Sequence, residues 1–305
     1  MQRPEPTGGT RWYAGWLAVL LSTTIAGVWA FWGSIENFHE GWYHPELGRN
    51  VVLAVIQYLP WMFIPMIAAL LVLWNRSAGV LLHVGLAGLM LWRMGARGAA
   101  LTLIILPLLT LAALYKFGRP EPKRWARRIV VWVPLLTALV SGAYPGWRAL
   151  TRPTAVDRSA HRFAANGVDL VWAPEGPGWD THGFRWTEAV RRCAYLDASG
   201  TALAGVAQHI WRLPTVDEAV RTMVYRGQNA GGAWDRAAHT AHYRVMPDKE
   251  PPLWNPYSQV IYWWTADESE TDPANAYRVV YNGQVHALPK NWGPDYMACR
   301  CVRRP

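Results

Sequence analysis

Hydrophobic and polar positions change rhythm near residue 150. Before that point apolar residues come in five long, almost unbroken runs, about 12–32, 51–74, 78–92, 99–115 and 129–144. The first two clear the roughly 20 residues that a bilayer core demands of a helix. The other three, at about 15 to 17 residues, span only by borrowing flanking Trp, Tyr or Arg stems. Trp12, Trp16, Trp32, Trp74, Trp92, Trp125 and Trp147 stand at or near run ends, where an interfacial aromatic belt belongs. Buried helices of a soluble bundle are the alternative, and the scarcity of polar breaks argues against it. Pro60, Pro65, Pro107 and Pro134 are expected to kink the helices that carry them. The first run is too long for a signal peptide's apolar core, and no small-residue cleavage site leads from it into a soluble domain.

After residue 150 the runs are short and the rhythm alternates. A polar connector at 151–164 leads into a strand at 167–172 and a Gly- and Pro-rich loop at 173–183. Residues 186–196 place Ala189, Cys193 and Leu196 on one helical face. The stretch 210–219 joins an apolar ring and an arginine to a proline, then sets Thr215 and Glu218 at capping-box spacing. A bulky strand is expected at 260–265, and a hairpin at 276–288 turning on Asn282-Gly283 as a type I′ turn. A closing strand carries Cys299, Cys301 and Val302. The expected architecture is an all-α membrane domain of about five helices over 1–150, and an α+β domain with two helices and short antiparallel strands over 165–305.

Charge sharpens this division. The first 150 residues carry 13 Lys/Arg against 5 Asp/Glu, the remainder 17 against 16. The excess of cations therefore lies between apolar runs, a topogenic pattern. No basic stripe with interleaved aromatics marks the second half, so nucleic acid is not an expected partner. The basic loop 116–128 belongs in the cytoplasm, and with five spans the N-terminus (Arg3, Arg11) joins it. The loop with Glu36, Glu40 and Glu46 and everything after residue 150 then lie outside. Arg93 and Arg97, in an outer loop, oppose this. A four-span arrangement would place the second half in the cytoplasm.

Candidate chemistry is sparse. His39, Glu40, His44 and Glu46 in the first outer loop could ligate a metal, although an interfacial segment accounts for the same residues. His83 lies mid-span, where an ionisable group suggests a cofactor ligand or proton relay; no other span carries a histidine, so a hydrogen bond to a neighbouring helix is expected. His239-Thr240-Ala241-His242 lacks the remaining parts of a zinc site. Asp267, Glu270 and Asp272 form an acidic turn that could take calcium. Of the three cysteines, Cys193 is expected to pair with Cys299 or Cys301, leaving one thiol.

The ordered set Trp186, Ala189, Cys193, then Trp211-Arg212-Leu213-Pro214-Thr215 and Glu218, then Tyr262, Trp263 and Thr265, a hairpin, and a final Arg300-Cys301-Val302-Arg303 resembles one group of domains. It is similar to the C-terminal domain of collagen-like bacterial adhesins, in the formylglycine-generating-enzyme-like, C-type-lectin-like superfamily. The resemblance covers about residues 165–305. It implies a C-type-lectin-like fold with Cys193 paired to Cys301. Formylglycine-generating enzymes of this superfamily use a pair of cysteines with copper, and Cys299 and Cys301 are placed differently here, only two apart.

The leading expectation is an integral membrane protein displaying a non-catalytic, extracytoplasmic domain for a glycan or peptide ligand. Trp179, Trp234, Trp254, Trp264 and Trp292 are candidates for a binding platform, with some required for the core. The alternatives are a copper or thiol redox enzyme using Cys299 and Cys301, and an accessory subunit whose spans pack in a larger membrane complex.

Overall fold

The computed structural model describes residues 9–155, 157–179, 182–293 and 296–305. Arg3, counted above among the cytoplasmic charges, lies outside them. The chain divides into two compact units, one of residues up to Trp42 with Glu46–Trp147, the other of Tyr43–Pro45 with Arg148–Pro305.

The first unit is helical. Its elements are α1 (Thr10–His39), α2 (Leu47–Leu53), α3 (Pro60–Trp74), α4 (Arg76–Met94), α5 (Gly98–Ala100), α6 (Leu106–Phe117) and α7 (Lys123–Thr151), whose last turn belongs to the second unit. Among the described residues, four helical stretches are long and apolar enough to cross a membrane: α1, α4, residues Gly98–Phe117 and α7. The pair Leu47–Tyr58 and Pro60–Trp74 makes a fifth if its 66° bend lies within one span. The runs expected to be short belong to helices of 19, 20 and 29 residues, because regular helix continues through the flanking Trp and Arg positions. Wider π-helical turns at Ala54–Tyr58 and Leu101–Ile105 precede Pro60 and Pro107, whereas Pro65 and Pro134 sit inside continuous helix.

Small residues set the helix spacing. A Cβ on Gly15 would collide with the backbone at Arg119 and Pro120, and one on Gly33 with the Tyr58 carbonyl. His83 is fully buried. Its Nδ1 bonds the Gly79 carbonyl of its own helix at 2.8 Å rather than a neighbouring helix, which instead supplies the Tyr115 ring at 5.7 Å. The Tyr115 hydroxyl reaches Ser22 Oγ on α1 at 3.0 Å.

The second unit opens with a hairpin, β1 (His161–Ala165) and β2 (Val168–Trp172). Its two-residue turn is Asn166-Gly167, with φ of +52° and +80°, the conformation a type I′ turn requires. The segment read as connector up to residue 164 thus already carries a strand, whose Phe163 is buried. After α8 (Trp186–Tyr195) and α9 (Val216–Thr222) come the small hairpins β3 (Val224–Tyr225)–β4 (Gln228–Asn229) and β5 (Ala233–Asp235)–β6 (Thr240–His242). Then follow β7 (Tyr262–Glu268), β8 (Asn275–Val280), β9 (Val285–Pro289), β10 (Met297–Ala298) and β11 (Val302–Arg303). One sheet runs β1-β2-β11 and another β10-β7-β8-β9; every pairing is antiparallel except β10 with β7. The β8–β9 hairpin forms as expected but with a different turn. Gly283 has φ +87° and Asn282 is not in the left-handed region. Gly283 N–H bonds the Val280 carbonyl at 2.8 Å, which makes this a type I turn closed by a left-handed glycine.

The expected single closing strand is two short ones, between which Arg300 bridges antiparallel to Trp179 and turns its side chain inward. Its guanidinium is fully buried, 3.6 Å from the Trp179 ring and within 6 Å of Trp172 and Trp263, at 5.6 and 5.8 Å. It donates to the carbonyls of Pro252, Leu253 and Ala173 at 2.5, 2.6 and 3.3 Å. Burial pulls its pKa down to about 9, which leaves it charged at neutral pH. Next to it, Cys301 forms the disulfide with Cys193 of α8 across 108 residues, the pairing the resemblance implies. Closing a loop of that length contributes on the order of 4–5 kcal/mol in the chain-entropy account.

Replacing Arg300 by Met would leave three buried carbonyls without their donor. We expect a loss of about 2–4 kcal/mol, measured by urea unfolding followed through tryptophan fluorescence. A variant as stable as the parent, or more so, would show that desolvation of the charge outweighs the cage.

Candidate functional site

The turn into α9 is specified at several levels. Thr215 Oγ1 accepts from Glu218 N–H at 3.2 Å, and Glu218 Oε2 accepts from Thr215 N–H at 2.8 Å, a complete capping box. Arg212 adds a two-pronged pair to the same carboxylate at 2.6 and 2.7 Å. Burial pushes the Glu218 pKa up, but the hydrogen bonds from Arg212 and Thr215 outweigh it and hold the group below the ordinary carboxylate range. Pro214 and Leu213 are buried, as is Trp211, whose indole donates to the Asp197 carbonyl at 2.8 Å. Arg212 also pairs with Val302 of β11 through both backbone groups, at 2.9 and 2.8 Å. Trp186 of α8 donates from its indole to the Thr265 carbonyl of β7 at 2.8 Å.

This capped turn forms one wall of a hollow of about 320 Å³ lined by Thr215, Val216, Asp217, Trp234, Arg236, Asp267, Glu270 and Tyr277. Asp267, on β7, accepts from Val216 N–H at 2.5 Å. The β5–β6 hairpin supplies Trp234 and Arg236. Its tip is held by Asp235 Oδ1, which accepts from Ala237 and Ala238 N–H at 2.9 and 3.0 Å. His239 there has φ +49°, a strained setting for a non-glycine residue. Trp234 packs edge-on to Tyr277 at 5.8 Å and stays half-buried.

A chain of polar contacts crosses the hollow. Arg236 Nε donates to Glu270 Oε1 at 2.8 Å, and the Tyr277 hydroxyl donates to Glu270 Oε2 at 3.0 Å. The same hydroxyl lies 2.6 Å from His239 Nδ1. With the single phenolic proton on the carboxylate side, Nδ1 is the donor and Nε2 is left as the acceptor in neutral His239. The Arg236 hydrogen bond, with help from Tyr277, brings the Glu270 pKa from 4.5 down to about 2. Burial, followed by the hydrogen bond to Glu270, raises that of Tyr277.

Among the residues singled out from sequence, the hollow gathers Trp234, Asp267, Glu270 and Thr215. Trp254 and Trp264 are core residues, 1% and 0% exposed. Trp254 stacks on Trp263 at 3.7 Å and Trp264 donates to the Phe184 carbonyl, so neither ring offers a face to a ligand. Trp179 is buried over Arg300. Trp292 is half exposed but does not line the hollow. The acidic trio is not brought to one point. Asp267 and Glu270 are engaged as above, and Asp272 accepts from Ala274 N–H and the Asn275 amide at 3.0 and 3.1 Å. Among the described residues the one group of three metal-ligating atoms is the sulfurs of Cys193, Cys299 and Cys301, all buried; two of these are joined in the disulfide. His39 and His44 belong to no such group. Arg236 meets Glu270 and Tyr277 meets His239 across 34 and 38 residues, separations that leave no spacing signal, so the sequence does not single out Arg236 or Tyr277.

No family model, curated protein or solved structure matches the chain.

The depressed Glu270 carboxylate has a defined pH signature. Its folded pKa lies below the unfolded one, so its stabilisation is complete above about pH 4.5 and is lost as pH falls toward about 2. Glu270→Gln should flatten the dependence of unfolding midpoint on pH within that window and leave it unchanged near neutrality. Identical profiles for parent and variant would show that the Arg236–Glu270–Tyr277 arrangement is not maintained in solution.

Proposed function

We propose that the chain is a multi-span membrane protein whose second unit is a non-catalytic, extracytoplasmic ligand-binding module of C-type-lectin-like fold. The hollow beside α9 is its binding site and a glycan its ligand. The observation that carries this reading is the half-buried Trp234 set beside Arg236, Asp267 and Glu270. An aromatic face next to planar groups already fixed by their own hydrogen bonds suits a polyhydroxylated ring, whose apolar face stacks while its hydroxyls bond outward. The lectin-like fold is supported by the α+β arrangement of two helices and short antiparallel strands, and by the disulfide from the first helix to the closing segment.

Binding is tested with the full chain in mild detergent against arrays of oligosaccharides and of peptides. Trp234→Ala should weaken glycan binding by about tenfold without changing the near-ultraviolet circular dichroism of the core tryptophans. Binding to peptides alone would reassign the ligand. Glycan binding insensitive to both Trp234→Ala and Arg236→Ala would move the site elsewhere.

With five crossings and the basic 116–128 loop in the cytoplasm, the second unit would lie outside. The disulfide supports an oxidising compartment. In this reading Leu47–Trp74 is one bent span. A periplasmic-type reporter joined after Pro305 should then be active, and one placed at residue 121 silent; activity confined to a cytoplasmic reporter after Pro305 would require four crossings.

A further inference from the structure

Hydrogen bonds within the membrane unit bring five helix ends together. Arg119 N–H donates to the Arg11 carbonyl at 2.7 Å. The indoles of Trp12 and Trp16 donate to the Glu121 carbonyl at 2.9 and 3.2 Å. Arg127 donates to the Leu73 carbonyl at 3.3 Å. The start of α1, the end of α3, the start of α4, the end of α6 and the start of α7 therefore share one end of the unit. Arg11, Arg76, Lys116, Arg119, Lys123, Arg124, Arg127 and Arg128 gather there, all exposed except the half-buried Arg76. Glu121 is the one carboxylate at that end among the described residues, and among them none of the eight cations makes an ion pair with a carboxylate. At the opposite end, Arg49, Arg93 and Arg97 are matched by Glu36, Glu40 and Glu46, with Arg49 bonded to Glu46 at 2.9 Å.

We propose that this basic end is a binding surface for anionic phospholipid headgroups. Net charge alone would suit any polyanion; the aromatic residues beside it select the lipid. Trp74, Phe117 and Trp125 are exposed and Trp12 and Trp16 half-buried at the same end, and such rings settle at headgroup depth. The cations are interleaved with them. Arg128 lies 5.1 Å over the Trp125 ring and Lys116 5.8 Å over Phe117, so each apolar stem lies along a ring that seeks the interface while its charge reaches toward phosphate.

The test reconstitutes the full-length chain in phosphatidylcholine vesicles containing phosphatidylglycerol. Quenching of its tryptophans by chain-brominated versions of each lipid gives their relative affinity. The parent should prefer phosphatidylglycerol severalfold, with the preference falling as salt rises. Combining Lys123→Gln, Arg124→Gln and Arg128→Gln should lower the ratio by at least about fivefold or bring it to one, since each basic side chain near a membrane surface contributes ~1 kcal/mol. Arg93→Gln with Arg97→Gln, at the other end, should leave it unchanged. A parent ratio near one, a ratio untouched by the triple substitution, or an equal fall in the Arg93/Arg97 variant would overturn the proposal. Should the triple variant lose its helical circular dichroism, the salt series on the parent decides: a preference that persists at high salt overturns it.

Discussion

Arg300 is the group around which the second unit closes. A guanidinium in a protein interior is costly unless its donors and charge are compensated. Here three carbonyls take hydrogen bonds from Nε and Nη1 and three indole rings surround the group, while Nη2 has no hydrogen-bond partner among the described residues. Between β10, beside β7, and β11, beside β2, residue 300 forms an isolated antiparallel bridge with Trp179 while its side chain turns inward. One segment thereby joins both larger sheets. The flanking Cys301 fastens the same segment to α8, and Val302 pairs with Arg212 just before the α9 cap. The tryptophans that dominate the core are thus arranged by a charge as much as by apolar contact. Trp263 serves twice, lying near Arg300 and stacking on Trp254.

The same core buries a second cation. Lys249 is 1% exposed and its ammonium is held by the Ser258 carbonyl; burial, with Arg152 nearby, brings its pKa down to about 7. The neighbouring Asp248 is paired with Arg148 and Arg152 at 3.0 and 3.1 Å. Arginine and lysine are treated differently for a physical reason. Burial lowers both groups by a similar amount; the guanidinium starts from a higher ordinary pKa and so remains charged at neutral pH, whereas the ammonium moves toward neutrality.

What was legible in the sequence was local. The cap at Thr215 and Glu218 needs four consecutive residues and their intrinsic geometry, and it forms with both hydrogen bonds. The helix from Trp186 was readable because Ala189 and Cys193 repeat at helical spacing. The two Asn-Gly pairs show the limit of such reading. Asn166-Gly167 takes the type I′ turn, and Asn282-Gly283 does not, because loop length and strand register choose the turn as much as the dipeptide does. Hairpins of two- and three-residue strands, such as β3–β4 and β5–β6, are too short to show a period. The hollow depended on those hairpins, so its Trp and carboxylates were nameable as residue types while their meeting was not. Ring burial was equally opaque, since Trp234 and Trp264 look alike until the sheet assigns one an edge position and the other an interior face.

In the helical unit, proline placement and end charge belong to one argument. Proline lacks an N–H and crowds the carbonyl four residues before it, so a helix carrying one must lose a hydrogen bond or widen. At Pro60 and Pro107 the preceding turn has the π-helical spacing, which makes room for the ring at the cost of helix direction. After the first of these the axis swings by 66°. The swing does not turn α3 back, however. Trp61 at its start faces Trp29 in the second half of α1, while the Leu73 carbonyl near its end meets Arg127 close to the start of α7. A segment that enters at the acid-balanced end therefore leaves at the basic one, and Arg76 joins the other cations instead of standing among the carboxylates. The bend redirects the helix without reversing it, and the segregation of charge between the two ends follows from that direction.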